Sequence, residues 1–134
     1  GKTTLLRDLI RLCARNSMVS VVDERRELFP EGFSRGENTD VLCGVDKPRG
    51  IDMVLRSMGP QVIAMDEVTS ERDCEALIRA AWCAVRLLAT AHADSVADLN
   101  RRSVYRPLVK AGLFSKAAVL DRERSWHLEE VEAW

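Results

Sequence analysis

Gly1-Lys2-Thr3-Thr4-Leu5-Leu6-Arg7-Asp8-Leu9-Ile10-Arg11-Leu12-Cys13-Ala14-Arg15 is the stretch that decides the fold. Its apolar residues Leu5, Leu6, Leu9, Ile10, Leu12 and Cys13 recur at helical spacing, while Arg7, Asp8, Arg11 and Arg15 face the other way. That pattern predicts an amphipathic helix over 4–15, closed by Asn16-Ser17. The residues just before it match the second half of G-x-x-x-x-G-K-[ST], a phosphate-binding loop. Phosphate chemistry asks for these types in this order. Gly1 lets backbone N–H groups approach phosphate, Lys2 reaches the β- and γ-phosphates, and the Thr3 hydroxyl binds Mg²⁺. The helix start adds the positive end of its dipole. Gly1, Lys2, Thr3 and Thr4 are therefore candidate nucleotide-binding residues, with ATP and Mg²⁺ the expected cofactors. The first half of the loop and a strand before it are not in the sequence. The chain thus reads as a domain that begins inside its own phosphate loop, and it is expected to bind ATP weakly by itself.

Gly-Lys-Thr alone is a weak signal; a matching acidic strand downstream makes it informative. Gln61-Val62-Ile63-Ala64-Met65 reads as a buried strand that delivers Asp66-Glu67 at its C-terminal end. In the phosphate-loop setting Asp66 would hold the Mg²⁺ shell, mostly through water, and Glu67 would orient or deprotonate the attacking water. A buried strand that merely ends in two carboxylates is the bland alternative, and it weakens once both halves occur in the right order.

Around these two segments strands and helices alternate. Met18 to Val22 reads as a strand stopping at Asp23-Glu24. Leu28 to Asp40, with Pro30, Gly32 and Gly36, reads as the mobile loop of the domain. A short strand at 41–43 and a helix over 51–58, closed by Gly59-Pro60, follow. Ser70 as N-cap with Glu71 and Asp73 in the first turn starts a helix running to Trp82. Val85 to Thr90 is the next strand, and Ser95 with Asp98 starts another helix. Lys116–Leu120 and Trp126–Val131 read as closing strands around a turn at Asp121–Arg124. This order predicts one α/β domain over residues 1–134, a P-loop NTPase fold of the RecA/AAA type, with a mainly parallel sheet between two helical layers. Ligands of such sheets sit at the carboxyl ends of the strands, where each polar cluster falls.

Two of those clusters keep two readings. Thr90 and His92, just past a strand, either sense the γ-phosphate or are a strand-end threonine and a satisfied histidine. Asp23-Glu24-Arg25-Arg26-Glu27 is either a solvated charge run or an acidic element of the site. Arg101, Arg102 and Arg106 read as a solvated helix face, with a finger toward a neighbouring subunit as the other option.

Bulk properties narrow the classes. The 134 residues suffice for one core without staples. Lys and Arg total 20 against 21 Asp and Glu, a net charge of −1, so nothing favours direct nucleic-acid binding or an anionic membrane. The 4 cysteines are dispersed without a C-x-x-C pair, which fits reduced thiols in a cytosol better than a zinc site. The longest apolar run, Ala80 to Val85, stops at Arg86, far short of the ~20 residues of a spanning helix.

Taken in order, Gly1–Asp8, Val21-Val22-Asp23-Glu24-Arg25, Thr39–Leu42, Arg56-Ser57-Met58, Val62–Glu67 and Ala89-Thr90-Ala91-His92 resemble the stage III sporulation protein AA family. The resemblance runs from residue 1 to about residue 120. Members are ATPases of a secretion-like channel in endospore-forming bacteria, similar in turn to type II and type IV secretion ATPases. The resemblance places Asp23 and Glu24 in an acidic box after the second strand, and Thr90 with His92 in a Thr-x-His-like box. It implies Glu67, Lys2, Thr90, His92 and Glu24 as catalytic, Asp23 among the cofactor-binding residues, and Thr3 with Asp66 at the metal. It further implies a ring, a hexamer in the expected form, with nucleotide between subunits. Such a ring would be cytoplasmic, meeting the membrane through channel proteins of the sporulation complex. Val68-Thr69 and Ala93-Asp94 stand where a glycine is expected soon after each motif.

Two other functional classes remain open on the sequence. A P-loop nucleotide kinase would use residues 25–35 as its arginine-bearing lid. A non-hydrolysing module would use nucleotide only to control assembly. An ABC-type subunit is disfavoured because no Leu-Ser-Gly-Gly-Gln-like signature occurs.

Overall fold

The chain folds as α1 (Lys2–Cys13), β1 (Val19–Asp23), β2 (Thr39–Cys43), α2 (Lys47–Ser57), β3 (Val62–Val68), α3 (Glu71–Trp82), β4 (Arg86–Ala91), α4 (Val96–Arg101), α5 (Arg106–Ala111), β5 (Lys116–Leu120) and β6 (Trp126–Glu130). The structure is a computed structural model and describes residues 1–123 and 125–131. Arg124, in the expected turn, and residues 132–134 lie outside the described residues.

Four strands form a parallel sheet in the order β2-β1-β3-β4, and β5 pairs with β6 antiparallel. The period of two along the central strands divides the core. Val19, Val21, Val62 and Ala64 face α1, where they meet Leu6, Ile10 and Ala14. Val22, Ile63 and Met65 face the opposite layer and pack with Ile51, Val54, Leu77, Ala80 and Leu108. Helices therefore cover both faces of the sheet, as the alternating pattern predicts.

α2 begins earlier than its apolar pattern suggests. Asp46 accepts the Arg49 N–H at 3.5 Å as N-cap, and Pro48 occupies the first turn, where its missing N–H costs nothing. Gly50 then brings the helix against β1: a Cβ there would lie 2.7 Å from Val22 Cγ1. Lys47-Pro48-Arg49-Gly50 thus belongs to the helix although it reads as a breaker. α5 also exceeds what periodicity shows; it ends at Gly112, whose φ of +66° makes the left-handed cap.

The loop expected to be mobile is anchored over its first part. Leu28 and Phe29 are buried, and Arg7 donates to the carbonyls of Leu28 and Glu27. The same guanidinium lies 4.6 Å from the Phe33 ring centre. Arg11 donates to the Ser34 carbonyl at 3.2 Å. Arg7 and Arg11, two of the three arginines that the helical pattern turns away from the core, hold this loop instead.

Candidate nucleotide site

The polar residues of the phosphate-loop half, of β3 and of β4 converge on Asp66. One of its carboxylate oxygens accepts the Thr3 hydroxyl at 3.2 Å, and the other accepts the Thr90 hydroxyl at 2.7 Å. Lys2 Nζ donates to the Ala91 carbonyl at 3.2 Å and lies 3.2 Å from His92 Nδ1, which accepts in that contact. The first turn of α1 carries no acidic side chain, and its N-cap, Gly1, offers no side-chain acceptor. A helix start of this composition favours an anion. Thr4 is exposed there.

Glu67 stands out in the backbone. β3 and β4 are in register at Met65 and Ala89 but shift by one before Val68 meets Ala91, so β3 carries an extra residue. Glu67 absorbs it at φ +53°, a left-handed conformation that costs a non-glycine residue about 1–2 kcal/mol. Its N–H leaves the ladder for Thr90 Oγ1 at 2.6 Å, and its carbonyl accepts from Lys47 Nζ. Both of its peptide groups are thus held by side chains.

The residue that closes this arrangement, Lys47, carries no motif in the sequence. It is only 8% exposed, and its ammonium also donates to Thr69 Oγ1 at 3.1 Å and to Asp73 Oδ2 at 3.0 Å. Asp73, 2% exposed, accepts the Thr69 N–H at 3.0 Å as well. Burial raises the Asp73 carboxyl, but the Thr69 N–H, the Lys47 ammonium and the Thr69 hydroxyl outweigh it and hold the group below its ordinary value. The sequence gives no signal for Lys47, because a lysine in the first turn of a helix, set against the dipole, is recognised only once α2 is seen to start at Lys47. Tyr105 is a second unforeseen member. Its hydroxyl donates to the Val68 carbonyl at 2.9 Å and accepts the His92 N–H at 3.3 Å, tying the end of β3 to the segment after β4.

Asp23 has a local role in the fold. It is buried, and its two oxygens accept the N–H groups of Glu27, Leu28 and Phe29 at 2.9, 3.2 and 2.9 Å. The carboxylate thus braces the turn from β1 into the loop. Glu24 follows, half-buried, with its carbonyl accepting the Gly44 N–H at 3.2 Å. β1 and β3 are in register at Val22 and Met65, so Glu24 and Glu67 leave the same end of the sheet. Of the three arginines, Arg102 pairs with Asp98 at 3.1 Å, and Arg106 donates to the carbonyls of Asn100 and Arg101. Those bonds fit an ordinary helix-end surface. Arg101 is exposed.

The donor set suits Mg²⁺. A hydroxyl and a carboxylate, both hard oxygen ligands, already lie within 3.2 Å of each other at Thr3 and Asp66. Among the described residues no three His, Cys, Asp or Glu gather as a metal cage. Mg²⁺ is usually held by one or two protein oxygens together with substrate phosphates.

A parallel sheet with Gly-Lys-Thr at the head of a helix, and an Asp at the end of the adjoining core strand bonded to that Thr, defines a P-loop NTPase fold. Solved structures agree. The VirB11 ATPase of the Brucella suis type IV secretion system, in complex with sulphate, superposes with a TM-score of 0.67 at 18% identity, over 99% of this chain and 45% of that one. The Legionella pneumophila ATPase DotB gives 0.58 at 16% identity, over 93% of this chain and 39% of that one. Residues 1–128 match the family described as Sporulation stage III, protein AA, and the chain belongs to that family. Stage III sporulation protein AA of Bacillus subtilis (strain 168) is 35% identical over 136 aligned positions covering 92% of this chain. The chain spans 44% of the length of that relative.

Proposed function

We propose that this chain supplies the nucleotide-binding and hydrolysing core of an ATPase that drives a secretion-like channel during sporulation. The observation that carries the reading is the hydrogen-bonded junction of Thr3, Asp66 and Thr90 beside Lys2, at the carboxyl end of the parallel strands. Lys2 and the leading N–H groups of α1 bind the phosphates, with Gly1 and Thr4 at the same helix start. Thr3 and Asp66 would hold Mg²⁺, which when bound neutralises charge on the phosphate oxygens. Glu67 orients the attacking water and takes its proton, with Glu24 a second carboxylate at the same end of the sheet. Positioning and charge supply most of the rate in such transfers.

Thr90 and His92 are read as the sensor of phosphate. Lys2 rests on the Ala91 carbonyl and His92, so a phosphate that draws the ammonium away frees both groups at the end of β4. Family membership supports the sporulation setting. The secretion ATPases that share the fold support a ring, expected to be a hexamer, that is cytoplasmic and reaches the membrane through channel proteins. No helix among the described residues is long and apolar enough to cross a membrane.

The test is ATP hydrolysis by the whole protein that contains this chain, beside Lys2→Ala and Glu67→Gln, with the oligomer mass recorded in the same samples. Turnover lost in both variants, in a ring that still forms, is the expected result. Nucleotide binding without turnover in the parent protein would instead mark a nucleotide-controlled assembly module.

A further inference from the structure

We propose that Lys47 is a positioning residue for Glu67: its buried ammonium clamps the turned-out end of β3 from which the Glu67 side chain acts. The inference rests on the reading of Glu67 as the residue that activates water. Glu67 is the residue that absorbs the bulge, and it has no ladder partner on β4; side chains hold its N–H and its carbonyl instead. Thr90 holds the first group and Lys47 the second. Without the second bond, the peptide after Glu67 is free to rotate back toward the ordinary extended conformation. The Glu67 carboxylate would then start from a different backbone direction, while Asp66, fixed by Thr3 and Thr90, would stay in place.

A purely structural tie between α2 and α3 would need only the Lys47–Asp73 pair. The ammonium has three N–H groups, and the three acceptors around it are Glu67 O, Thr69 Oγ1 and Asp73 Oδ2. Two of these lie on the segment that carries and follows the Asp66-Glu67 motif, and the third belongs to α3 and braces it. Asp73 neutralises the lysine and receives the Thr69 N–H, so the pair grips that segment from both sides. A lysine is suited to this task because it donates in three directions from one point.

The test must separate position from stability. Lys47→Met with Asp73→Asn removes the ion pair without leaving a buried charge, and the amide introduced at position 73 can still accept the Thr69 N–H. In the whole protein we expect this double variant to fold and to form the parent oligomer. Its KM for ATP should stay within about threefold of the parent, while kcat falls on the order of 100-fold. Amide exchange measured by mass spectrometry should rise in the peptide containing 66–69. Added to Glu67→Gln, the double change should cost no further turnover, because the group it positions is already gone.

A double variant with parental kcat, beside a Glu67→Gln variant that is dead, overturns this inference and leaves the ATPase reading standing. Unchanged exchange at 66–69 with a lowered kcat overturns it as well. A parent protein without turnover, or one indifferent to Glu67→Gln, overturns the ATPase assignment of Glu67 and this inference with it.

Discussion

Thr90 uses one oxygen twice, accepting the Glu67 N–H at 2.6 Å and donating to Asp66 at 2.7 Å. A hydroxyl is the smallest group that can do both, and serine keeps it while valine keeps only the shape. Thr90→Val is therefore expected to reduce kcat on the order of 100-fold, with Thr90→Ser within about tenfold of the parent. A loss in Thr90→Ser as large as that in Thr90→Val would show that the hydroxyl alone does not carry the effect. The thiols give a second comparison at this scale. Cys74 is buried and donates to the Val104 carbonyl at 3.1 Å. Burial, with the carboxylates of Asp73, Glu71 and Glu75 nearby, pushes it up to about 11. Cys83 is exposed at the end of α3. At neutral pH an alkylating reagent should label Cys83 readily and Cys74 only after unfolding. Labelling of both at similar rates in the folded protein would refute the burial of Cys74.

At the scale of elements, the helix starts are the most legible features, because their chemistry is local. Ser70 accepts the Asp73 N–H at 3.2 Å and Ser95 the Asp98 N–H at 3.0 Å, as the Ser-x-x-Asp spacing predicts. The ends of β3 and β4 are legible as polar clusters too, since apolar runs stop there. What the chain does not show is any bond made across distant segments. Asp23 lies in a run of charged residues that looks solvated, and only the folded loop turns three N–H groups onto it. Lys47 and Tyr105 carry no motif, and their roles depend on carbonyls of β3 that have no side-chain signature. The start of α2 is hidden for a related reason: Gly50 looks like a breaker until β1 is seen to need the space. Gly50→Ala makes the conflict measurable. Alanine favours a helix over glycine by about 1 kcal/mol. Its Cβ would fall 2.7 Å from Val22 Cγ1, and Val22 is fully buried. Overpacking costs typically about 1–3 kcal/mol, so the net expected change is destabilising. A raised urea midpoint would mean that Val22 can move aside freely.

Across the whole molecule, the sheet fixes where the site lies, and the buried Lys47–Asp73 pair joins α2, α3 and the end of β3 beneath it. Such a pair is weak evidence for stability by itself, since each charge loses its water. Removing one partner is different, because the other stays buried and unpaired. Lys47→Met alone is expected to cost about 3 kcal/mol, and adding Asp73→Asn should recover most of it. The pair also sets a pH dependence whose sign follows from Asp73. Its carboxyl is held below the ordinary value of 3.8 in the folded chain and returns to that value on unfolding. Above 3.8 both states are ionised, and the full contribution is present. As pH falls below it, the unfolded chain binds a proton that the folded chain does not, and stability declines. The contribution is gone once pH has passed through the folded value. Asp98 and Glu129 are lowered as well, but both lie at the surface and occur in every variant, so they cancel in a comparison. Urea midpoints measured from about pH 6 down to pH 3 should therefore fall more steeply below about pH 4 for the parent than for Lys47→Met with Asp73→Asn. Curves that run parallel through that window would mean that the pair is not what holds Asp73 ionised, and the brace beneath Glu67 would lose its electrostatic basis.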